Sequence, residues 1–388
     1  MVKKFAEPIL VTKPLVASRD EIFSLFNDVI DSGWLTNMGK QHNLLEKEVA
    51  DYLNIDNLSV FNNGTLALIV ALKALNLPEG SEVITTPFTF AATTHAISWN
   101  GLKPIFADIN KDTMTLSTDA IEKAITPNTS AILPVHVYGF PCEVEIIEKI
   151  AKKNNLKVIY DGAHSFSTKI NNKSICEWGD ITMLSFHSTK LFNSIEGGGL
   201  VYKDENIGRK IYELRNFGIK KFISEEDIKE GVKNKDIIKD IGINGKLNEF
   251  QSAWGRVVLK QVKKEQEKRQ KVSDTYKKLL NNIKEITIPE MPKNTSNSMQ
   301  YFPILVENNR DDLYDKLMKH NIYSRKYFYP LCSDFECYKN LPSAQAKNLL
   351  VSNEIANKVL CLPFYGELSK NECEAVKKIS EIIKVSIL

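Results

Sequence analysis

The sequence predicts an α/β fold, a mainly parallel sheet with helices on both faces, followed by a smaller C-terminal α+β domain. Two observations carry this. Between residues 58 and 203, short apolar, β-branched runs alternate with helical patterns, and strands that alternate with helices form a covered parallel sheet. From 247 to 282 a long helical pattern rich in Lys, Glu and Gln then separates this region from the rest. A chain of 388 residues has room for two domains. The expected division is 1–250, a large α/β domain with the N-terminal segment, and 251–388, a connecting helix with the small domain.

Taken in order, the predicted strands are "EVITT" (82–86), "KPIFAD" (103–108), "SAILPV" (130–135), "KVIYD" (157–161), "DITMLSF" (180–186) and "GLVYK" (199–203). Among the crossovers, "TLALIVALKALNL" is apolar nearly all round, which predicts a buried helix, and "CEVEIIEKIAKKNN" is amphipathic with a basic C-terminal end that suits the helix dipole. Beyond the connecting helix, "QYFPILV" (300–306) reads as a strand, "RDDLYDKLMKHN" (310–321) as a helix and "KNECEAVKKISEIIKVSIL" (370–388) as a closing helix.

Composition excludes several function classes. Hydrophobic residues at 43% and charged residues at 26% argue against disorder and fibrous architecture. A net charge of +3 with no long basic block leaves no nucleic-acid footprint, although 218–242 is dense in both signs. The N-terminal apolar stretch is broken by Pro8, Lys13 and Pro14, a poor secretory signal, and no run approaches the ~20 apolar residues that span a bilayer. A cytoplasmic location is expected by default. The six scattered cysteines include no C-x-x-C pair and are expected to be reduced.

Ligands of open α/β sheets bind beyond the carboxyl ends of the strands, and three stretches fall there. In "NNGTLAL" (62–68), Asn63, Gly64 and Thr65 precede an apolar helix, so backbone N–H groups and the dipole offer an anion pocket, or else Asn63 and Thr65 are an ordinary cap. In "VIYDGAH" (158–164), Asp161 closes a buried strand and needs a cationic or hydrogen-bonding partner, a structural salt bridge or a helix cap being the plainer reading. In "SFHSTKLFNSIEGGG" (185–199), Lys190 is an exposed loop lysine or, if desolvated, an amine nucleophile capable of imine chemistry. Together the three supply a phosphate grip, a pyridinium partner and an imine-forming amine, the parts that pyridoxal phosphate requires.

The stretches "NNGTLAL", "PFTFAATTHAI", "DGAH", "SFHSTK" with "EGGG", and "INGKLNEFQSA" resemble the DegT/DnrJ/StrS sugar aminotransferases over nearly the whole chain. That family consists of fold type I pyridoxal-phosphate enzymes acting on nucleotide-linked keto sugars. The resemblance implies that Lys190 forms the internal aldimine and moves protons, and that Asp161 pairs with the pyridinium nitrogen. It implies that Ser185, Gly64 and Thr65 hold the phosphate, that Phe90 stacks on the ring and that His164 lies near the phenolic oxygen. Asn244 matches an asparagine that reaches the phosphate of the neighbouring subunit's cofactor, which implies a homodimer with a shared active site. His187 is read as a residue that orients the loop, His95 is assigned no role, and "YFYP" (327–330) is either small-domain core or near the sugar.

"GWLTNMG", "FNNGTLALIVAL", "FHSTKLFNSIEGG" and "RKYFYPL" are similar to the subgroup that aminates dTDP-4-keto-6-deoxyhexoses at carbon 4, with L-glutamate as the expected donor and surface-glycan amino sugars, such as those of O-antigen, as the expected use. Alternatives are a 3-ketosugar aminotransferase or a non-catalytic cofactor-binding regulator; the dehydratases of this superfamily have His in place of Lys190. Two departures stand out. Ile195 replaces the first glycine of the family's "GEGG", and Asn244-Gly245-Lys246 stands where "NYR" is common.

Overall fold

The computed structural model describes residues 3–220, 238 and 240–387. Most of the charge-dense 218–242 stretch lies outside them. The central sheet has seven strands: β1 (Leu58–Phe61), β2 (Glu82–Thr85), β3 (Lys103–Phe106), β4 (Thr129–Leu133), β5 (Lys157–Asp161), β6 (Ile181–Ser185) and β7 (Gly198–Tyr202). Their order across the sheet is β1-β7-β6-β5-β4-β2-β3. All pairs are parallel except those of β7, which runs antiparallel to both β1 and β6. The six predicted strands are all present. The additional strand, β1, comes from "LSVF", a run too short for its period to stand out.

Neighbouring residues of each strand enter different cores, as the two-residue period requires. Val83, Ala131, Ile159 and Met183 pack with the helices Gly64–Ala74, Ala91–Trp99 and Glu205–Leu214. Ile84, Ile132, Val158, Tyr160 and Leu184 pack on the other face with Lys40–Leu53, Val144–Asn154 and Glu249–Leu259. The helix Gly64–Ala74 is buried at Ala67, Leu68, Val70, Ala71, Leu72 and Ala74, as its uniformly apolar sequence predicts.

The connecting stretch is not one helix. It divides into Glu249–Leu259 and Val262–Leu280, with Lys260 and Gln261 between them. The break marks a change of core. Ala253, Val257, Val258 and Val262 belong to the large-sheet cluster, whereas Val272, Tyr276 and Leu280 belong to a C-terminal cluster. That second cluster covers a three-stranded antiparallel sheet of Ile286–Thr287, Phe302–Val306 and Val359–Leu362, flanked by the helices Arg310–Lys319 and Lys370–Ile387.

The N-terminal segment also reaches this part. Ile9–Leu10 pairs in parallel with Ile322–Tyr323, and Phe5 and Ile9 pack on the C-terminal cluster. Pro8 and Pro14 disfavour a helix here, and an edge strand tolerates neighbouring prolines. The six cysteines are free, five buried and Cys337 exposed. Among the described residues no helix is long and apolar enough to cross a membrane.

Candidate active site

A cavity of about 290 Å³ opens beyond the carboxyl ends of the parallel strands, and Gly64, Thr65, Phe90, Asp161, His164, Ser185 and Lys190 all line it. The register explains the meeting. Gly198, the first residue of antiparallel β7, lies opposite both Phe61 and Ser185, the last residues of β1 and β6. Asn244, the remaining predicted residue, is exposed and outside the cavity, in a bridge with Asn216.

At the start of the helix Gly64–Ala74, Asn63 is the cap: its Oδ1 accepts from the Leu66 N–H at 2.9 Å. The ordinary reading therefore holds for Asn63. The N–H groups of Gly64 and Thr65 and the hydroxyls of Thr65 and Ser185, by contrast, meet no acceptor among the described residues. A Cβ on Gly64 would lie 3.5 Å from Ser185 Oγ, so that hydroxyl stands beside the helix start. This concentration of free donors at a helix N-terminus suits a phosphate.

The glycines of "EGGG" are required by close packing. None of Gly197, Gly198 and Gly199 adopts positive φ. A Cβ on Gly198 would press on the Gly64 nitrogen at 2.7 Å, one on Gly199 on Leu58 at 2.9 Å, and one on Gly197 on the Ser194 hydroxyl. They let β7 lie against the turn that forms the anion site. Ile195, in contrast, has φ +70°, where a β-branched side chain is strained. Its amide is held by Asn193 Oδ1 at 3.2 Å, which also accepts from Trp254 Nε1.

Asp161 is 4% exposed. Its Oδ1 accepts from the Ala163 N–H at 3.0 Å and its Oδ2 from the Thr93 hydroxyl at 2.7 Å. Burial raises its pKa, while those two donors and the Lys190 charge pull the other way. Among the described residues it makes no ion pair within 4.0 Å, which removes the structural salt-bridge reading. Burial likewise brings Lys190 down to about 8, against the pull of Asp161. Its Nζ lies 6.0 Å from the centre of the Tyr301 ring, and Gln300 clamps its turn, accepting from the Leu191 N–H and donating to the Thr189 carbonyl.

His164 accepts the Tyr138 N–H on Nδ1 at 3.1 Å, so its neutral ring carries the proton on Nε2. Burial first, then the Lys190 charge, holds its pKa well below the ordinary value. Phe328 stacks beside it with ring centres 5.8 Å apart and Tyr301 meets it edge-on at 5.0 Å. Of the two phenylalanines in "TPFTF", Phe88 is fully buried and Phe90 is 63% exposed over the cavity.

The "YFYP" stretch divides between core and cavity wall. Tyr327 and Phe328 line the cavity, with Phe328 also packed in core, while Tyr329 lies under the Arg310 guanidinium. His187 does orient its loop, pairing Nδ1 with the Thr189 hydroxyl and Nε2 with Glu196 at 3.4 Å. His95 bonds the Tyr338 hydroxyl. At the second departure, a Cβ on Gly245 would lie 3.1 Å from the Phe61 ring, and Lys246 turns to the Phe217 ring. Phe61 thus fills space that a larger side chain at 245 would need.

Sequence reasoning missed Thr89 and Tyr301, which line the cavity, and Thr93 and Gln300, which stand behind it. The Thr89–Thr93 spacing of one helical turn below a strand end was a visible signal for the two threonines. Nothing local marks Gln300 and Tyr301, which reach the site only through packing of the C-terminal part.

These groups fit pyridoxal phosphate: free donors for an anion, a buried carboxylate without a direct ion pair among the described residues, an imidazole N–H and an amine of lowered pKa converge on one cavity. Comparisons with known proteins agree. The chain is 41% identical over 384 residues to the dTDP-4-amino-4,6-dideoxy-D-glucose transaminase of Escherichia coli, covering 97% of this chain and 98% of that one. It superposes on DesI, solved in the presence of its TDP-sugar product, with TM-score 0.90 and 27% identity over 99% of this chain and 94% of that one. NtdA from Bacillus subtilis, solved with bound cofactor PMP, matches with TM-score 0.82 and 28% identity over 97% of this chain and 86% of that one. The model of the DegT/DnrJ/EryC1/StrS aminotransferase family covers residues 17–381. On that coverage the chain belongs to the DegT/DnrJ/EryC1/StrS aminotransferase family and is an enzyme of fold type I.

Proposed function

We propose that this aminotransferase moves the amino group of L-glutamate to the keto carbon of a nucleotide-linked 4-keto-6-deoxyhexose, dTDP-4-keto-6-deoxy-D-glucose, with pyridoxal phosphate as cofactor. The observation that carries the reading is the convergence of Lys190, Asp161 and the Gly64, Thr65 and Ser185 donors on one cavity. The choice of sugar and nucleotide rests on the 41% identity to a transaminase named for that product. When bound, pyridoxal phosphate supplies a carbonyl that captures amino groups and a ring that accepts electrons.

The chain's own residues then have distinct tasks. Lys190 supplies a neutral amine more readily than a solvated lysine, because its pKa lies at about 8, and once free it takes and returns the substrate proton at Nζ. Asp161 offers a fixed negative charge to a protonated ring nitrogen. Gly64, Thr65 and Ser185 donate to the phosphate, His164 donates from Nε2 to the phenolic oxygen, and Phe90 covers a ring face. Asn244, exposed in the single chain, completes the phosphate site of a second copy in a homodimer. Tyr327 and Phe328 form the wall that meets the sugar. The proposal includes a cytoplasmic location and a division of the chain at the helix break, residues 260–261, in place of the 250 expected from sequence.

The test is to incubate the purified protein with glutamate and a panel of 3-keto and 4-keto 6-deoxysugars linked to dTDP, UDP and GDP. Release of 2-oxoglutarate and a product with nitrogen on carbon 4 by NMR are expected. Nitrogen on carbon 3 overturns the regiochemistry; cofactor binding without 2-oxoglutarate release for any sugar points instead to a regulator. Lys190→Ala should abolish turnover and the visible absorbance of the loaded protein, and retention of both would sink the assignment of the lysine.

A further inference from the structure

We propose that Thr93 is a positioning residue that keeps Asp161 ionised and aimed into the cavity, with Thr89 setting the direction of the Thr93 hydroxyl. The inference rests on the role given to Asp161 above. Thr93 is fully buried and does not line the cavity, so it acts only through the carboxylate. Its hydroxyl donates to Asp161 Oδ2 at 2.7 Å and lies 2.8 Å from the Thr89 hydroxyl, one helical turn earlier.

A helical threonine ordinarily bonds the carbonyl one turn back. Thr93 does not do so, and the Thr89 carbonyl accepts from Cys332 Sγ instead. An ionised carboxylate can only accept. The single Thr93 proton therefore points at Oδ2, and its oxygen accepts from Thr89, which does line the cavity. With the Ala163 N–H on Oδ1, each carboxylate oxygen has one fixed donor, which sets the plane of the group.

The titratable groups around Asp161 are Lys190, on the loop after β6; His164, on the same turn as the carboxylate; and Cys142, whose thiol the Asp161 charge helps to push up. His136 also approaches, donating its main-chain N–H to the Asp161 carbonyl. Of these only Lys190 is a cation that favours the ionised form. Thr93 and the Ala163 amide supply the remainder before any ligand arrives.

The experiment titrates the cofactor-free protein with pyridoxal phosphate and follows the pH profile of the visible band, for wild type, Thr93→Val, Thr93→Ser and Asp161→Asn. A hydrogen bond to a charged group predicts roughly tenfold weaker cofactor binding in Thr93→Val and a displaced pH midpoint. Thr93→Ser should restore both. Wild-type affinity and pH profile in Thr93→Val overturn the inference. If Thr93→Val does not fold, Thr93→Ala against Thr93→Ser gives the same comparison, and wild-type behaviour of Thr93→Ala overturns it. Asp161→Asn separates the two readings: if it too binds and titrates as wild type, the role of Asp161 fails; if it alone is impaired, only the role of Thr93 fails.

Discussion

Around Asp161 both carboxylate oxygens are met by donors from the protein, whereas around Ser185 the hydroxyls of Ser185 and Thr65 and the amides of Gly64 and Thr65 meet no acceptor among the described residues. Both regions sit at strand ends of one sheet. The difference follows from what each has to hold and how dry it is. A carboxylate 4% exposed is costly unless its charge is compensated within the fold. Donors at an accessible helix start lose little to water while they wait, Thr65 being exposed. On the proposed function one region serves charge state and chemistry and the other affinity, and substitutions should separate along that line.

The largest effect is expected from Asp161→Asn, which keeps the shape and removes the charge. Turnover at saturating cofactor should fall on the order of 10²–10³, the size seen when a preorganised electrostatic group is removed. A variant with near-normal turnover would erase the distinction between the two regions.

The next test uses pH. Burial holds Lys190 at about 8, and its neutral form grows as pH rises, so capture of pyridoxal phosphate by the cofactor-free protein should accelerate up to about pH 8 and then level off. A midpoint near that of a free lysine would show that the cavity does not desolvate the amine. Asp161 shifts upward for the same physical reason, so its charge is lost on acidification at a higher pH than for a solvated carboxylate.

Ser185→Ala sharpens the other side of the comparison. Loss of one hydrogen bond to a dianionic ligand should weaken cofactor affinity by roughly tenfold. Turnover at saturating cofactor should stay within about twofold of wild type. A large fall in saturated turnover would show that the phosphate site also controls the chemistry.

Ile195→Gly should have the smallest effect. Relief of positive φ is offset by the greater freedom of glycine in the unfolded chain, leaving a gain of about 1 kcal/mol or less. Thermal melting measures it, and a clear loss of stability would mean that the side chain, 43% exposed, packs in a way the single chain does not reveal.

Much of the molecule was legible beforehand because its signals are local. Six strands announced themselves as short apolar runs, and the helix after Gly64 by an apolar surface on every side. The "EGGG" glycines were visible too, but their reason was not. They accommodate the neighbouring turn, Phe186 and Ser194, contacts between residues far apart in the chain or folded back by a loop. The stretch 247–282 illustrates the opposite failure. Its helical composition is continuous, but the helix breaks where the apolar residues change from one core to another, a decision made by packing.

The sequence by itself determined which residues could do chemistry, because residue type sets what an amine, a carboxylate or a helix start can offer. It also determined the alternating strand and helix pattern, because periodicity is a property of consecutive residues. Only the tertiary structure decided that Gln300 clamps the turn of Lys190, that Tyr301 faces it and that Thr93 stands behind Asp161. Those relations join segments distant in sequence, and hydrogen bonds depend on distances and directions that exist only once the sheet has been assembled and the C-terminal part packed on it.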